Sequence, residues 1–353
     1  VDLVHEGLVR EQSAAVVTPG PRLGRPPQVV SLVPSAGYAL GLDIGHDHAR
    51  LILSDLVGTP VWDRSVDLDV DTSAEDTVAA STRLIAAALR DTEVDRAAVL
   101  GLGVGIACPV DRRTGGLRAE GIMPGWVGLK PAQMLAERTG LRAQIINDAN
   151  ACVVAERHYG VAQQCDDVVF LRLSSGIGAG VVCDGRMLLG HDGLVGELGH
   201  ISIDPNGAVC RCGNRGCLET IASPTAIAAL LSRSWGRPVT SAELIALLRA
   251  GDRGAVRALQ DAGETVGRTL AMTVMTLNPR IVVVGGELAA AGDVLLEPIR
   301  RTLQRNSVTG QQRELQVMVS ALGDSASARG AAALVLAETP QLLSERPRLS
   351  AEQ

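Results

Sequence analysis

Aromatic side chains are nearly missing from this chain of 353 residues: they make up 2% of it, as one Phe, two Tyr and three Trp. Its core must be assembled from Ala, Val, Leu and Ile, and the bases of a single-stranded nucleic acid would find few rings to stack on. No apolar run reaches the length of a membrane span, and no signal peptide is visible. Positive charge is also short. Against 39 Asp and Glu stand 33 Lys and Arg, a net of −6, which excludes a protein that coats nucleic acid with its whole surface. Seven cysteines without an export signal make the cytoplasm the expected compartment. The length suffices for two domains with sizeable cores. The chain opens on Val1 rather than Met, the mark expected of cutting or processing at the N-terminus.

What is present is concentrated in residues 196–219. His200, Cys210, Cys212 and Cys217 fall there within a loop that also holds Gly, Pro and Asn. Three thiolates and an imidazole are the donor set of a closed tetrahedral zinc site, structural because four protein ligands leave no position for water. The plainer reading is three free thiols beside a loop histidine; two close thiol spacings with an upstream His weigh against it. Cys210 and Cys212 are too close in sequence for an unstrained disulfide. The remaining cysteines, Cys108, Cys152, Cys165 and Cys183, lie among apolar residues and are expected to be buried thiols.

Residues 1–36 differ from the rest of the chain. Short strands at 8–11 and 29–32 flank a link rich in Pro, Gly and Arg, with Arg22 and Arg25 at its centre. Such a basic hairpin tip can enter a minor groove; a flexible linker is the alternative. Beyond Tyr38 the pattern predicts strands at 40–44, 50–54 and 61–68, then a helix at 74–90 capped by Ser73. Next come a buried strand at 99–106, a helix at 131–139 ended by Gly140, a strand at 144–147 and a helix at 149–159. A hairpin is expected at 167–173 and 178–183. Helices at 224–233, 241–249 and 255–277, a strand at 281–284, a helix at 293–304, a strand at 315–320 and an Ala-rich helix at 326–337 complete the order. The polar tail, 339–353, is expected to be disordered. Two rounds of strand, hairpin and helix predict two α/β domains with a ligand cleft between them.

Three carboxylates surround the metal motif in sequence or in role. Asp148 follows a strand and opens a helix, where it is either an N-cap or a site residue. Glu197 and Glu219 flank the loop, as solvated acids or as paired acceptors for sugar hydroxyls. A carboxylate at a cleft mouth can also take a hydroxyl proton. A metal on one nitrogen of His200 would leave the other aimed at a ligand and fix both Glu residues nearby. Gly176, Gly178 and Gly180, after Ser175, form either a phosphate cradle or a tight hairpin. Gly285 and Gly286 after a buried strand are a weaker signal of the same kind.

Together these residues resemble the ROK family of repressors, open reading frames and kinases, over about residues 8–338. The resemblance rests on Cys210-Arg211-Cys212-Gly213, Gly216-Cys217-Leu218-Glu219, Asn147-Asp148-Ala149-Asn150, Gly176-Ile177-Gly178 and the run from Pro279 to Gly286. It implies an α/β, two-lobed, actin-like (ribonuclease-H-like) fold. One lobe would be 37–147, joined by a C-terminal helix at 326–338. The other would be 148–325, with the zinc loop at 196–219. Residues 1–36 would be the remnant wing and linker of a winged-helix DNA-binding domain, most of the helix-turn-helix being missing. It further implies that Asn147, Asp148, Glu197, His200 and Glu219 bind sugar, and that His200, Cys210, Cys212 and Cys217 hold structural Zn2+. In kinase members, Asp148 would be the catalytic base, with Mg2+ near Asp43. ATP phosphates would then lie against Asp43, Gly45, Ser175, Gly176, Gly178, Gly285 and Gly286.

Two departures bear on function. Kinases of the family open with Asp-x-Gly-Gly-Thr; here Asp43-Ile44-Gly45 continues into His46, Asp47 and His48. His46 obstructs close backbone approach, and Asp47 places a like charge beside phosphate. Ile122 stands where many relatives have Asn. The expectation is a transcriptional regulator that takes a sugar or sugar derivative as effector and binds DNA as a homodimer or homotetramer, with no membrane partner. The alternatives are an ATP-dependent sugar kinase and a sensor regulated by a protein partner.

Overall fold

The computed structural model describes residues 3–4, 7–13, 28–118, 120–306 and 315–339. Strands β1 (Val9–Ser13) and β2 (Gln28–Leu32) pair antiparallel as a two-stranded sheet of their own, with Val9 opposite Leu32. Arg22 and Arg25, and the tail beyond residue 339, lie outside the described residues.

Two five-stranded sheets make up the rest. The first contains β3 (Tyr38–Ile44), β4 (His48–Asp55), β5 (Pro60–Asp67), β6 (Val99–Ile106) and β7 (Ala143–Asn147), in the order β5-β4-β3-β6-β7. The second contains β8 (Val168–Leu173), β9 (Ile177–Cys183), β10 (Arg186–Met187), β11 (Ile281–Gly285) and β12 (Gln316–Val319), in the order β10-β9-β8-β11-β12. Each sheet is mixed: hairpins supply the antiparallel pairs β3–β4 and β8–β9, and crossovers the parallel pairs β3–β6 and β8–β11. Helices α1 (Ala74–Thr92) and α2 (Pro131–Thr139) belong with the first sheet, and α3 (Asp148–Tyr159) packs on β8 and β9. Around the second sheet lie α4 (Glu219–Ala222), α5 (Pro224–Trp235), α6 (Ser241–Arg249), α7 (Arg253–Leu277) and α8 (Asp293–Asn306). Each sheet carries its own aliphatic core: Leu40, Leu42, Leu102 and Val104 are at the heart of one, and Val169, Leu171, Val282 and Val284 of the other.

The scarcity of rings has a structural counterpart in the last helix, α9 (Ala326–Ala337), which packs against β3, β6 and α3. A Cβ on Gly41 of β3 would collide with the carbonyl of Ala328, and one on Gly103 of β6 with that of Ala331. The helix therefore rests on strand backbone, which requires Gly in the strands and Ala in the helix.

Local chemistry sets several boundaries as expected. The Ser73 hydroxyl accepts the Asp76 N–H at the start of α1, and Gly140 ends α2 with φ 64°. Strand β10 and helix α4 were not anticipated; each is too short to carry a periodic signal. One expectation fails. Cys108 and Cys152 are buried, but Cys165 is half-buried and Cys183, the last residue of β9, is exposed. A strand end beside the two-residue β10 lacks the cover that an apolar neighbourhood in sequence implied. Among the described residues no helix is long and apolar enough to cross a membrane.

Candidate functional site

The C-terminal ends of β3, β6 and β7 and the N-terminus of α3 face the β8–β9 turn and the Cys-rich loop across a cleft. Asn147, Asp148, Glu197, His200 and Glu219 all line it, as do Gly45, Ser175, Gly176 and Gly178. The remaining phosphate candidates lie elsewhere. Asp43 is fully buried beneath the floor, Gly285 is packed against the Phe170 ring, and Gly286 lines a neighbouring cavity of about 310 Å3.

Among the described residues, His200, Cys210, Cys212 and Cys217 bring their ligand atoms within 4.8 Å of one another. Cys212 Sγ and Cys217 Sγ are 3.7 Å apart, as are Cys210 Sγ and His200 Nδ1. A tetrahedron with Zn–S bonds of about 2.3 Å has edges of about 3.8 Å, so this donor set fits the ion in number, chemistry and spacing. Burial pushes the Cys217 thiol up to about 12, and a bound cation is what would ionise it. The other imidazole nitrogen, Nε2, lies 3.9 Å from Glu197 Oε2. Gly196, at φ 103°, lets the loop start directly against the Ala179 carbonyl, where a Cβ would collide.

The helix cap at α3 is Asn147, whose Oδ1 accepts the N–H groups of Ala149 (3.0 Å) and Asn150 (3.2 Å). Asp148 is thereby released from capping and stands in the first turn, where the helix dipole favours its charge. Its Oδ1 accepts the Ala149 N–H (2.7 Å), and its Oδ2 forms an ion pair with Arg172, 3.0 Å from Nε. Burial pushes the carboxyl upward while Arg172 pulls the other way, and the net shift is upward. Burial, then Asp148 and Glu219, raise Glu197 to about 7. Glu219 opens α4; one oxygen accepts the Ile177 N–H (3.1 Å) and the other accepts from Arg211 Nε (2.9 Å). Neither Gly176 nor Gly178 has a positive φ, so backbone angle does not account for these glycines.

The turn after β3 behaves differently from expectation. His46 Nδ1 is held 2.7 Å from Asp71. Asp47 is 82% exposed and paired with His48 Nδ1 (2.9 Å), so its charge toward the cleft is largely compensated. Three residues that matter were missed: His48, Arg172 and Arg211. Arg211, between two metal-ligand candidates, also donates to the Ser175 carbonyl (3.1 Å). Arg172 had a readable signal, since a charge in the apolar run of β8 demands buried partners.

A profile of the ROK family matches residues 39–338. The N-acetylglucosamine repressor of Escherichia coli O6:H1 is 30% identical over 349 residues, covering 94% of this chain and 82% of its own length. A ROK family transcriptional regulator, a homologue of the Escherichia coli MLC protein, superposes with a TM-score of 0.79 at 28% identity, covering 97% of this chain and 88% of the other. A glucokinase from Streptomyces griseus, in complex with glucose and AMPPNP, superposes at 0.73 with 29% identity, covering 84% and 99%. With its two mixed-sheet lobes and family profile spanning most of its length, the chain belongs to the ROK family.

Proposed function

We propose that this chain is the effector-binding part of a transcriptional regulator and that its cleft holds a sugar or sugar derivative. Asn147, Asp148, Glu197, His200 and Glu219 read the hydroxyls, offering acceptors at several angles around one opening. A structural Zn2+ on His200, Cys210, Cys212 and Cys217 keeps that wall rigid. The two lobes are 37–147 with α9, and 148–325. Lobe closure on the ligand moves the N-terminal hairpin and the DNA-binding segment of which it is the wing. The ligand shifts that equilibrium only by its differential affinity for the two states. The regulator acts in the cytoplasm as a homodimer or homotetramer on paired half-sites.

The observation that carries this reading is the contrast within one cleft. The hydroxyl-reading wall keeps Asn147, Asp148, Glu197, His200 and Glu219, with Ile122 the one position where a polar group is replaced, whereas the Asp43 carboxylate, near which a kinase would hold its metal, is enclosed by side chains of this chain. Similarity to a repressor and a regulator over nearly the whole chain supports it. The test is isothermal titration calorimetry with glucose, xylose and N-acetylglucosamine, beside a coupled ATP assay with the same sugars. We expect one sugar to bind with a single-site isotherm and no turnover. Turnover abolished by Asp148→Asn would establish the kinase reading instead. Absence of heat with every sugar would favour a protein effector.

A further inference from the structure

The kinase relative is described with a nucleotide analogue, so the fit of a metal–nucleotide to this chain can be tested on its own atoms. Asp43 is wholly buried on β3. Its Oδ1 accepts the Ser327 hydroxyl of α9 at 2.6 Å. Its Oδ2 faces His48 Nε2 at 3.2 Å and the Arg172 guanidinium at 3.9 Å. Asp148 is engaged by the same Arg172 through Nε. Mg2+ needs open oxygen ligands at about 2.1 Å in octahedral array. No oxygen of Asp43 is open, and an entering metal would meet two cations.

We propose that Arg172 and His48 are resident counter-ions that take up the charge of Asp43 and Asp148, so that the cleft floor refuses a divalent metal and the nucleotide it would carry. The geometry is one connected network. Arg172 rises from β8 in the second sheet to meet Asp43 on β3 of the first and Asp148 at the head of α3. It lines both the sugar-facing cleft and the adjacent 310 Å3 cavity, so it stands at the junction where a phosphoryl group would pass. His48 lies against the turn itself: a Cβ on Gly45 would run into its ring, filling the space that a phosphate would need against that backbone. Its hydrogen bonds to Asp43 and Asp47 raise its pKa to about 10, which keeps it cationic at neutral pH. The inference goes beyond the choice of effector, because it holds whether the cleft takes a sugar or a protein. It assigns to Arg172 and His48 the exclusion that the sequence suggested for His46 and Asp47.

The experiment is Mn2+ binding followed by electron paramagnetic resonance, with thermal melting in the presence and absence of MgCl2. The proteins are the wild-type chain, Arg172→Lys, and the double variant Arg172→Gln, His48→Asn. Wild type and Arg172→Lys should leave the aqueous Mn2+ signal intact and melt independently of Mg2+. The double variant should melt lower, bind Mn2+ at least roughly tenfold tighter than wild type, and regain part of the lost melting temperature on addition of Mg2+. Adding Asp43→Asn to it should remove that metal response. Wild-type Mn2+ binding that disappears in Asp43→Asn would overturn the proposal, and so would a folded double variant with no gain. Should the double variant fail to fold, the wild-type and Asp43→Asn measurements decide alone.

Discussion

The two sides of the cleft have been treated differently by the sequence. On the metal-loop side, His200 and three thiols are crowded into one loop, with Glu197 and Glu219 lining the cleft beside them. On the floor, the turn after β3 keeps Asp43 and Gly45 but surrounds them with His48, Arg172 and Ser327. Carboxylates remain on both sides. What differs is who neutralises them. Among the described residues Glu197 faces the cleft with no Arg or Lys partner, whereas Glu219 is paired with Arg211, Asp148 with Arg172, and Asp43 with His48 and Arg172. A binding wall needs acceptors left open for a ligand. At Asp43 both oxygens are used internally, by Ser327 and His48.

Variants on each side should separate these roles. The largest effect is expected at the loop. Cys212→Ser removes one of four donors, and zinc measured by mass spectrometry should fall from about one per chain to nearly none, with sugar affinity reduced at least ~100-fold through loss of the wall. Next comes Arg172→Leu, which leaves buried Asp148 without its cation and Asp43 with His48 alone. Urea denaturation should register a loss of about 3–5 kcal/mol. His48→Gln should cost less, roughly 1–3 kcal/mol at neutral pH. Its effect is pH-dependent with a definite sign. The folded-state pKa of His48 is raised from 6.5 to about 10, so its stabilisation is complete below 6.5 and is lost as pH rises through about 10. The stability difference between wild type and His48→Gln should therefore shrink on the alkaline side. The smallest effect is expected at Asp47, an exposed residue in an exposed pair: Asp47→Ala should change stability by no more than about 0.5 kcal/mol.

Much of this contrast is legible in the sequence, and the failures have physical reasons. The metal-ligand candidates can be read because their chemistry is local, four donors in one loop. Ser73 and Gly140 are readable for the same reason, since caps act within a turn. Asp148 cannot be assigned from sequence, because Asn147 and Asp148 are both good caps and only the backbone decides which one is used. At the floor, sequence reasoning fails at the level of side-chain direction. Asp47 points to solvent and His46 to Asp71, while the obstructing ring belongs to His48, one residue further along. Arg172 is distant in sequence from its partners, so only the tertiary fold reveals that it meets Asp43 and Asp148. Gly41 and Gly103 likewise gain their meaning from α9, nearly the whole chain away from Gly41.

The most direct measurement is a calorimetric titration of Mg2+ with AMPPNP into the zinc-loaded chain already saturated with its best-binding sugar. A single-site sugar isotherm followed by no heat beyond dilution is the expected result. Stoichiometric nucleotide binding that is lost in Asp43→Asn would contradict a cleft whose floor is closed by Arg172 and His48.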